Sequence, residues 1–182
     1  MQRIGSSRAK MRNIKGDHQL ISAINRRSVL QAVRDYGPIT RPQVSKVTGL
    51  SVTTATFAVN ELLNDGLLRS TTGDVNSPGR PPVYFELNES ARYVIGAQIE
   101  RGFVRVALVN LRAEIITQIA QVCDATDQSA TIDALSQLIS ELLQRTDQER
   151  VLGIGVSSPG RVDSQRGVVI RAMNTGWSNV NV

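Results

Sequence analysis

The chain has 182 residues, room for one or two domains, with 41% hydrophobic residues and a net charge of +5. It has no apolar run long enough to span a bilayer and no signal-peptide-like stretch at its basic N-terminus, which points to a soluble, cytoplasmic protein without membrane attachment. A single cysteine, Cys123, excludes an intrachain disulfide, and with one histidine, His18, it cannot build a tetrahedral Cys/His zinc site.

The positive charge is unevenly spread. Residues 1–88 hold 12 basic and 6 acidic side chains, a net +6, whereas residues 89–182 hold 9 and 10, a net −1. Residues 1–46 alone hold 10 basic and 2 acidic side chains. Charge gathered in this way suits a polyanionic partner for the first half, against the plainer alternative of a solvated basic tail.

Residues 1–17 are polar, basic and aperiodic and are expected as a flexible arm. Leu20, Ile21, Ile24, Val29, Leu30 and Val33 then recur at helical spacing, predicting a helix to about Tyr36 that Gly37-Pro38 stops. Thr40 with Gln43 has capping-box form, and Pro42 suits a first helical turn. Val44 and Val47 are expected to face inward from this second helix, and Gly49 to end it. Ser51 opens a third helix with Val52, Ala55, Val59 and Leu62 on one face, and Thr53, Thr54, Phe57 and Asn60 mainly on the other. Leu67–Ser70 and Val83–Leu87 read as two strands flanking a Gly/Ser/Pro loop.

After Asn88 the pattern changes. Tyr93–Ile99, Val104–Val109 and Ile115–Val122 read as consecutive strands, and Ile132, Leu135, Leu138, Ile139, Leu142 and Leu143 as one face of an amphipathic helix. Val151–Val156 reads as a short buried strand, and Val168–Ile170 as one more. The expected organisation is therefore a basic arm (1–17), a winged helix-turn-helix (18–88) and an α/β lobe (89–182), an α+β protein as a whole.

Three short helices, the last two joined through Thr48-Gly49-Leu50-Ser51, and a two-stranded wing make a unit suited to double-stranded DNA. Thr53 and Thr54 carry hydroxyls for bases or phosphates and methyls for thymine. Ser51 and Thr40 cap helix N-termini, whose partial positive charge suits phosphate. Arg41, with Lys46, Arg26 and Arg27, is a candidate phosphate contact, although for each one taken singly a solvated surface charge is the preferred reading. Phe57 has two readings, a contact to thymine methyls or packing beneath the wing, the second slightly preferred. In Ser77-Pro78-Gly79-Arg80-Pro81-Pro82 the prolines hold the chain extended, and the segment has two readings, a wing tip that presents Arg80 to a minor groove, the preferred one, or a stiff linker with an ordinary surface arginine.

Several runs resemble a known family. Asn25-Arg26-Arg27-Ser28-Val29-Leu30, Gly37-Pro38-Ile39-Thr40-Arg41, Thr48-Gly49-Leu50-Ser51 and Glu61-Leu62-Leu63-Asn64-Asp65-Gly66-Leu67-Leu68 look like the N-terminal domain of ROK-family repressors. Gly79-Arg80-Pro81-Pro82-Val83-Tyr84-Phe85-Glu86-Leu87-Asn88 resembles the link to that family's second domain. Gly153-Ile154-Gly155-Val156, Pro159-Gly160-Arg161-Val162-Asp163 and Asn174-Thr175-Gly176-Trp177 resemble the opening of its sugar-kinase-like domain. The resemblance covers residues 18–182 and implies a winged helix fused to part of an actin-like ATPase (ribonuclease H-like) lobe. It further implies a repressor of carbohydrate genes, of the xylose- or N-acetylglucosamine-repressor type. Such a repressor would act as a homodimer and answer to a sugar or sugar-phosphate effector, unless that response has been lost.

The sequence departs from the family's kinases. Where they carry an Asp followed by a Gly-Gly-Thr turn, this chain has Gln98-Ile99-Glu100-Arg101-Gly102, whose Glu100 would repel phosphate and whose Gln98 lacks the charge that favours Mg²⁺. The chain is expected to be truncated at Val182, short of the family's catalytic base, zinc cluster and most sugar contacts. The expectation is no enzyme, no catalytic residues, no cofactor and no metal, with a sugar kinase as the disfavoured alternative. The sugar-proximal positions that remain are Pro159, Gly160 and Asn174, for which a plain turn and surface loop is the preferred reading.

Overall fold

The computed structural model describes residues 5–73 and 81–182, with side chains from His18 onward. The chain divides at Asn88/Glu89 into two compact units.

In the first unit, helix α1 runs Gly5–Tyr36, so helical backbone reaches into the segment expected as a flexible arm. Its packed part begins at Val29: Val29, Ala32 and Val33 are buried, whereas Leu20, Ile21 and Ile24 are more than half exposed. The apolar stripe is present, but its first two turns stay largely exposed. Helix α2 (Arg41–Thr48) starts with Gln43 Oε1 accepting from the Thr40 N–H at 2.8 Å and from the Thr40 hydroxyl at 2.8 Å. It ends at Gly49, whose φ of 72° is a conformation that side chains with a Cβ resist, and whose N–H donates to the Ser45 carbonyl at 2.9 Å. Helix α3 (Val52–Asn64) buries Ala55, Ala58, Val59 and Leu62, a spacing of three and four that makes one face.

Two expected core positions are corrected. Val47 is 47% exposed and Val52 is 58% exposed. Helix α2 is two turns long and its inward position is taken by Val44, so Val47 turns away. Val52 is the first residue of α3 and overhangs the bundle.

Strands β1 (Leu68–Thr72) and β2 (Val83–Leu87) pair antiparallel, with Arg69 donating to Glu86 across the ladder at 2.8 Å. Ile39 adds a short bridge to this hairpin, exchanging backbone hydrogen bonds with Phe85 at 2.8 and 3.0 Å. Phe85, Ile39, Leu68 and Leu87 thereby join the helical core, and the hairpin is fixed to the bundle at its root.

In the second unit, β3 (Tyr93–Ile99), β4 (Phe103–Asn110) and β5 (Ile115–Val122) form an antiparallel run, and β6 (Val151–Ser157) adds parallel to β3, giving the order β5-β4-β3-β6 among the described residues. Period-two patterning sets the register, pairing Ile95 with Leu108, Ala97 with Val106 and Ile99 with Val104, all buried. Helix α4 (Gln128–Gln144), capped by Asp127 accepting from the Ala130 N–H at 3.1 Å, lays Leu135, Leu138 and Leu142 on this face. The expected burial of β6 is corrected: Leu152, Ile154 and Val156 are each more than 40% exposed. β6 is an edge strand with β3 as its sheet neighbour, and α4 lies over β3, β4 and β5.

Strands β7 (Arg161–Asp163), β8 (Val168–Ala172) and β9 (Trp177–Asn181) form a second antiparallel sheet. Val169, Ala172, Trp177 and Val180 pack into the same core, where the Trp177 indole N–H donates to the Ala125 carbonyl at 2.7 Å.

Candidate nucleic-acid interface

The surface that α3 presents follows from what it buries. With Ala55, Ala58, Val59 and Leu62 turned inward, Thr53, Phe57 and Asn60 fall on the outward stripe and are exposed. Ser51 Oγ accepts from the Thr54 N–H at 3.1 Å and lies 2.8 Å from the Thr54 hydroxyl. Thr54, half-buried, is thus tied to the cap, and Thr53 is the exposed threonine of the first turn. The remaining orphan N–H groups of that turn give the helix end its partial positive charge.

Phe57 is 68% exposed, which corrects the preferred reading that it packs beneath the wing. It borders a shallow depression of about 360 Å³ between α1 and α3, together with Ile21, Asn25 and Thr53. The physical reason is its offset of two positions from Ala55, which turns it about 200° around the helix, toward α1 rather than toward the hairpin.

The basic candidates divide in two. Arg27 and Lys46 are exposed and make no ion pair among the described residues. Arg26 is paired with Asp65. Arg41 is drawn into the unit: its guanidinium lies 4.4 Å from the Phe85 ring centroid and donates to Asn60 Oδ1 at 2.8 Å. A planar, weakly hydrated cation gains from such an aromatic face, so Arg41 braces α2 against α3 and β2. Its Nε is buried and has no hydrogen-bond partner among the described residues. Thr40 lies beside it at the start of α2, along a groove shared with Pro81 and Pro82. Arg80 and the rest of the expected wing tip, Ser77-Pro78-Gly79, lie outside the described residues.

Val47 and Val52 were not among the sequence-predicted site residues, yet both stand exposed on either side of the helix-turn-helix corner. The signal was available in the brevity of α2, which can bury a single valine well.

In the second unit the turn after β3 is closed by Gln98 Nε2 donating to Glu100 Oε1 at 2.9 Å and by the Glu100 N–H donating to the Phe103 carbonyl at 2.9 Å. A carboxylate therefore stands where a phosphate-cradling turn would need open N–H groups. Pro159, Gly160 and Asn174 do come together, around one open cavity of about 830 Å³. Gly160 has φ 96°, and a Cβ there would sit 2.3 Å from the Arg171 carbonyl oxygen and 2.7 Å from Ala172 Cα. The Pro159-Gly160 turn is thus seated on β8. Gly160→Ala is expected to cost about 2 kcal/mol or more in urea unfolding, from backbone strain and overpacking.

Residues 23–69 match the family described as winged helix-turn-helix DNA-binding. Over 168 residues the chain is 28% identical to the putative xylose repressor of Caldicellulosiruptor sp. (strain Rt8B.4), covering 91% of this chain and 42% of that protein. It is 25% identical over 162 residues to the DNA-binding transcriptional repressor Mlc of Escherichia coli (strain K12), covering 87% of this chain and 40% of that protein. A crystal structure of a ROK-family transcriptional regulator, a homologue of the E. coli Mlc protein, superposes with a TM-score of 0.68 at 27% identity, over 87% of this chain and 41% of that one. The chain is thus similar to part of a ROK-family transcriptional regulator. It spans about two-fifths of the length of the curated relatives it matches. The likeness to that regulator covers 87% of this chain and so reaches both units, in keeping with a winged helix-turn-helix followed by a unit of mixed helix and sheet. Among the described residues, no helix is long and apolar enough to cross a membrane.

Proposed function

We propose that this chain is a sequence-specific DNA-binding transcriptional regulator, a cytoplasmic repressor of carbohydrate genes. The observation that carries the reading is the division of α3 into a buried face of Ala55, Ala58, Val59 and Leu62 and an exposed face of Thr53, Phe57 and Asn60. In this reading α3 enters the major groove, with Thr53 at base edges and Phe57 against thymine methyls. The capped starts of α2 and α3, at Thr40 and Ser51, approach phosphates, as do Arg27 and Lys46. Arg80 reaches the adjacent minor groove from the wing tip. Two copies bind a palindromic operator and block transcription sterically, and a sugar-type effector near Pro159, Gly160 and Asn174 relieves the block.

A sugar kinase is the weaker reading, because Glu100 occupies the turn that would hold nucleotide phosphate. The test is a fluorescence anisotropy titration of duplex DNA across salt concentrations. The logarithm of the association constant is expected to fall linearly with log salt, by about 0.9 per phosphate contact. Salt-independent or undetectable association with duplex contradicts the reading.

A further inference from the structure

Asn60 stands on the outward stripe of α3, close to two full turns after Thr53 and about 10 Å further along the same side. It is exposed, yet its amide is not free to turn. Arg41 Nη2 donates to Asn60 Oδ1 at 2.8 Å. An arginine carries donors and no acceptor, so the end of the amide that it holds is the oxygen, and the amino end is left over. Asn60 Nδ2 has no hydrogen-bond partner among the described residues.

The arginine is itself held. Its guanidinium lies 4.4 Å from the centroid of the Phe85 ring, and its Nε is buried. Phe85 exchanges two backbone hydrogen bonds with Ile39, just ahead of Arg41 in the chain. The cation is thus fixed from β2 and from α2, and reaching out to a phosphate would break both of its contacts. A guanidinium laid on an aromatic face, with a donor spent on a carboxamide, sets the direction of that carboxamide.

That direction decides what Asn60 can read. In the major groove adenine offers an acceptor, N7, beside a donor, N6, whereas guanine offers two acceptors, N7 and O6. Asparagine pairs with adenine through both ends of its amide, which needs the oxygen turned to the base. With that oxygen drawn back toward α2, Asn60 offers the groove its amino group. Helix α3 contains no arginine, lysine or glutamine that would compete for the same edge.

We infer that Arg41 is a positioning residue for base recognition, holding the Asn60 amide so that its amino group reads the acceptor edge of guanine in preference to adenine. The inference rests on the DNA-binding reading above and deepens it, from a groove contact to the base that contact prefers.

The experiment selects duplexes from a randomised library with the full chain and sequences those retained. The parent is compared with Asn60→Ala, Arg41→Lys and Arg41→Met, each shown by circular dichroism melting to be folded at the selection temperature. The parent is expected to favour guanine over adenine at one position of each half-site by about fivefold or more, and Asn60→Ala to lose that preference. Arg41→Lys keeps the charge and releases the amide, and Arg41→Met releases it without a charge. Both are expected to lower the guanine-to-adenine ratio at that position by about fivefold or more. A phosphate contact at position 41 would instead weaken binding to all sequences alike and leave base preference untouched. The absence of a guanine preference that depends on Asn60, or dependence on Asn60 of a preference for any other base, overturns the inference. Survival of the guanine preference in either folded Arg41 variant overturns the positioning role. A library from which the parent enriches no sequence contradicts the regulator reading itself, and the inference falls with it.

Discussion

Thr53→Glu is expected to abolish specific DNA binding while leaving the fold intact. Thr53 is exposed in the first turn of α3, so the substitution buries no charge and removes no packing. An acidic side chain near a helix N-terminus is stabilising by up to about 1 kcal/mol, so the unfolding midpoint should hold or rise slightly. In the groove the same carboxylate would face phosphates and base acceptors. Like-charge juxtaposition of that kind costs several kcal/mol, which puts the expected loss of affinity on the order of 100-fold or more. Thr53→Ser serves as the companion variant: it keeps the hydroxyl and loses the methyl, and should cost far less. Anisotropy with duplex DNA, alongside circular dichroism melting, separates the two effects. Unchanged binding by Thr53→Glu would remove α3 from the interface.

Phe85→Ala is expected to act through stability instead. Phe85 is 1% exposed, exchanges two backbone hydrogen bonds with Ile39, and carries the Arg41 guanidinium over its ring. Truncation leaves a cavity where hairpin and helices meet, a change that costs about 3–5 kcal/mol for a buried phenylalanine. The Arg41 stacking, worth about 0.5–2 kcal/mol, goes with it. Since domains of this size are stable by only about 5–15 kcal/mol, the substitution should remove a large share of the first unit's stability and lower its urea midpoint markedly. Urea titration followed by far-UV circular dichroism measures the shift. Arg41→Lys should reproduce the smaller part, because an ammonium keeps the charge but loses the planar stack and the guanidinium hydrogen bond to Asn60.

Much of the fold was legible because local chemistry and burial pointed the same way. Gly49 and Ser51 read as helix stop and helix start, and they are a left-handed C-cap and an accepting N-cap. Strands β2, β3 and β5 run over the residues that their periodicity marks. The misreadings share one cause. Periodicity tells which side of an element is apolar, but not whether another element lies there. Leu20, Ile21 and Ile24 continue the stripe of α1 past the bundle, Val52 overhangs it, and Ile154 and Val156 sit on a sheet edge beyond the reach of α4. Strands β7 and β9 escaped because Arg161–Asp163 is three residues long and Trp177–Asn181 is polar at alternate and adjacent positions alike.

The candidate site was legible by residue type more than by role. Thr53 and Ser51 stand where the helix-turn-helix pattern puts them. Arg41 looked like any surface arginine, and its capture by Phe85 and Asn60 depends on a tertiary contact between residues 44 and 19 positions away, which no local pattern encodes.

The most direct measurement places a photoreactive side chain at position 53, at position 57 and, as a control, at the exposed Gln137 of α4, and maps crosslinks to operator DNA. Crosslinks from 53 and 57 to bases within one major groove, with none from 137, are the expected result. Crosslinks from 137 but not from 53 or 57 would contradict a recognition role for α3.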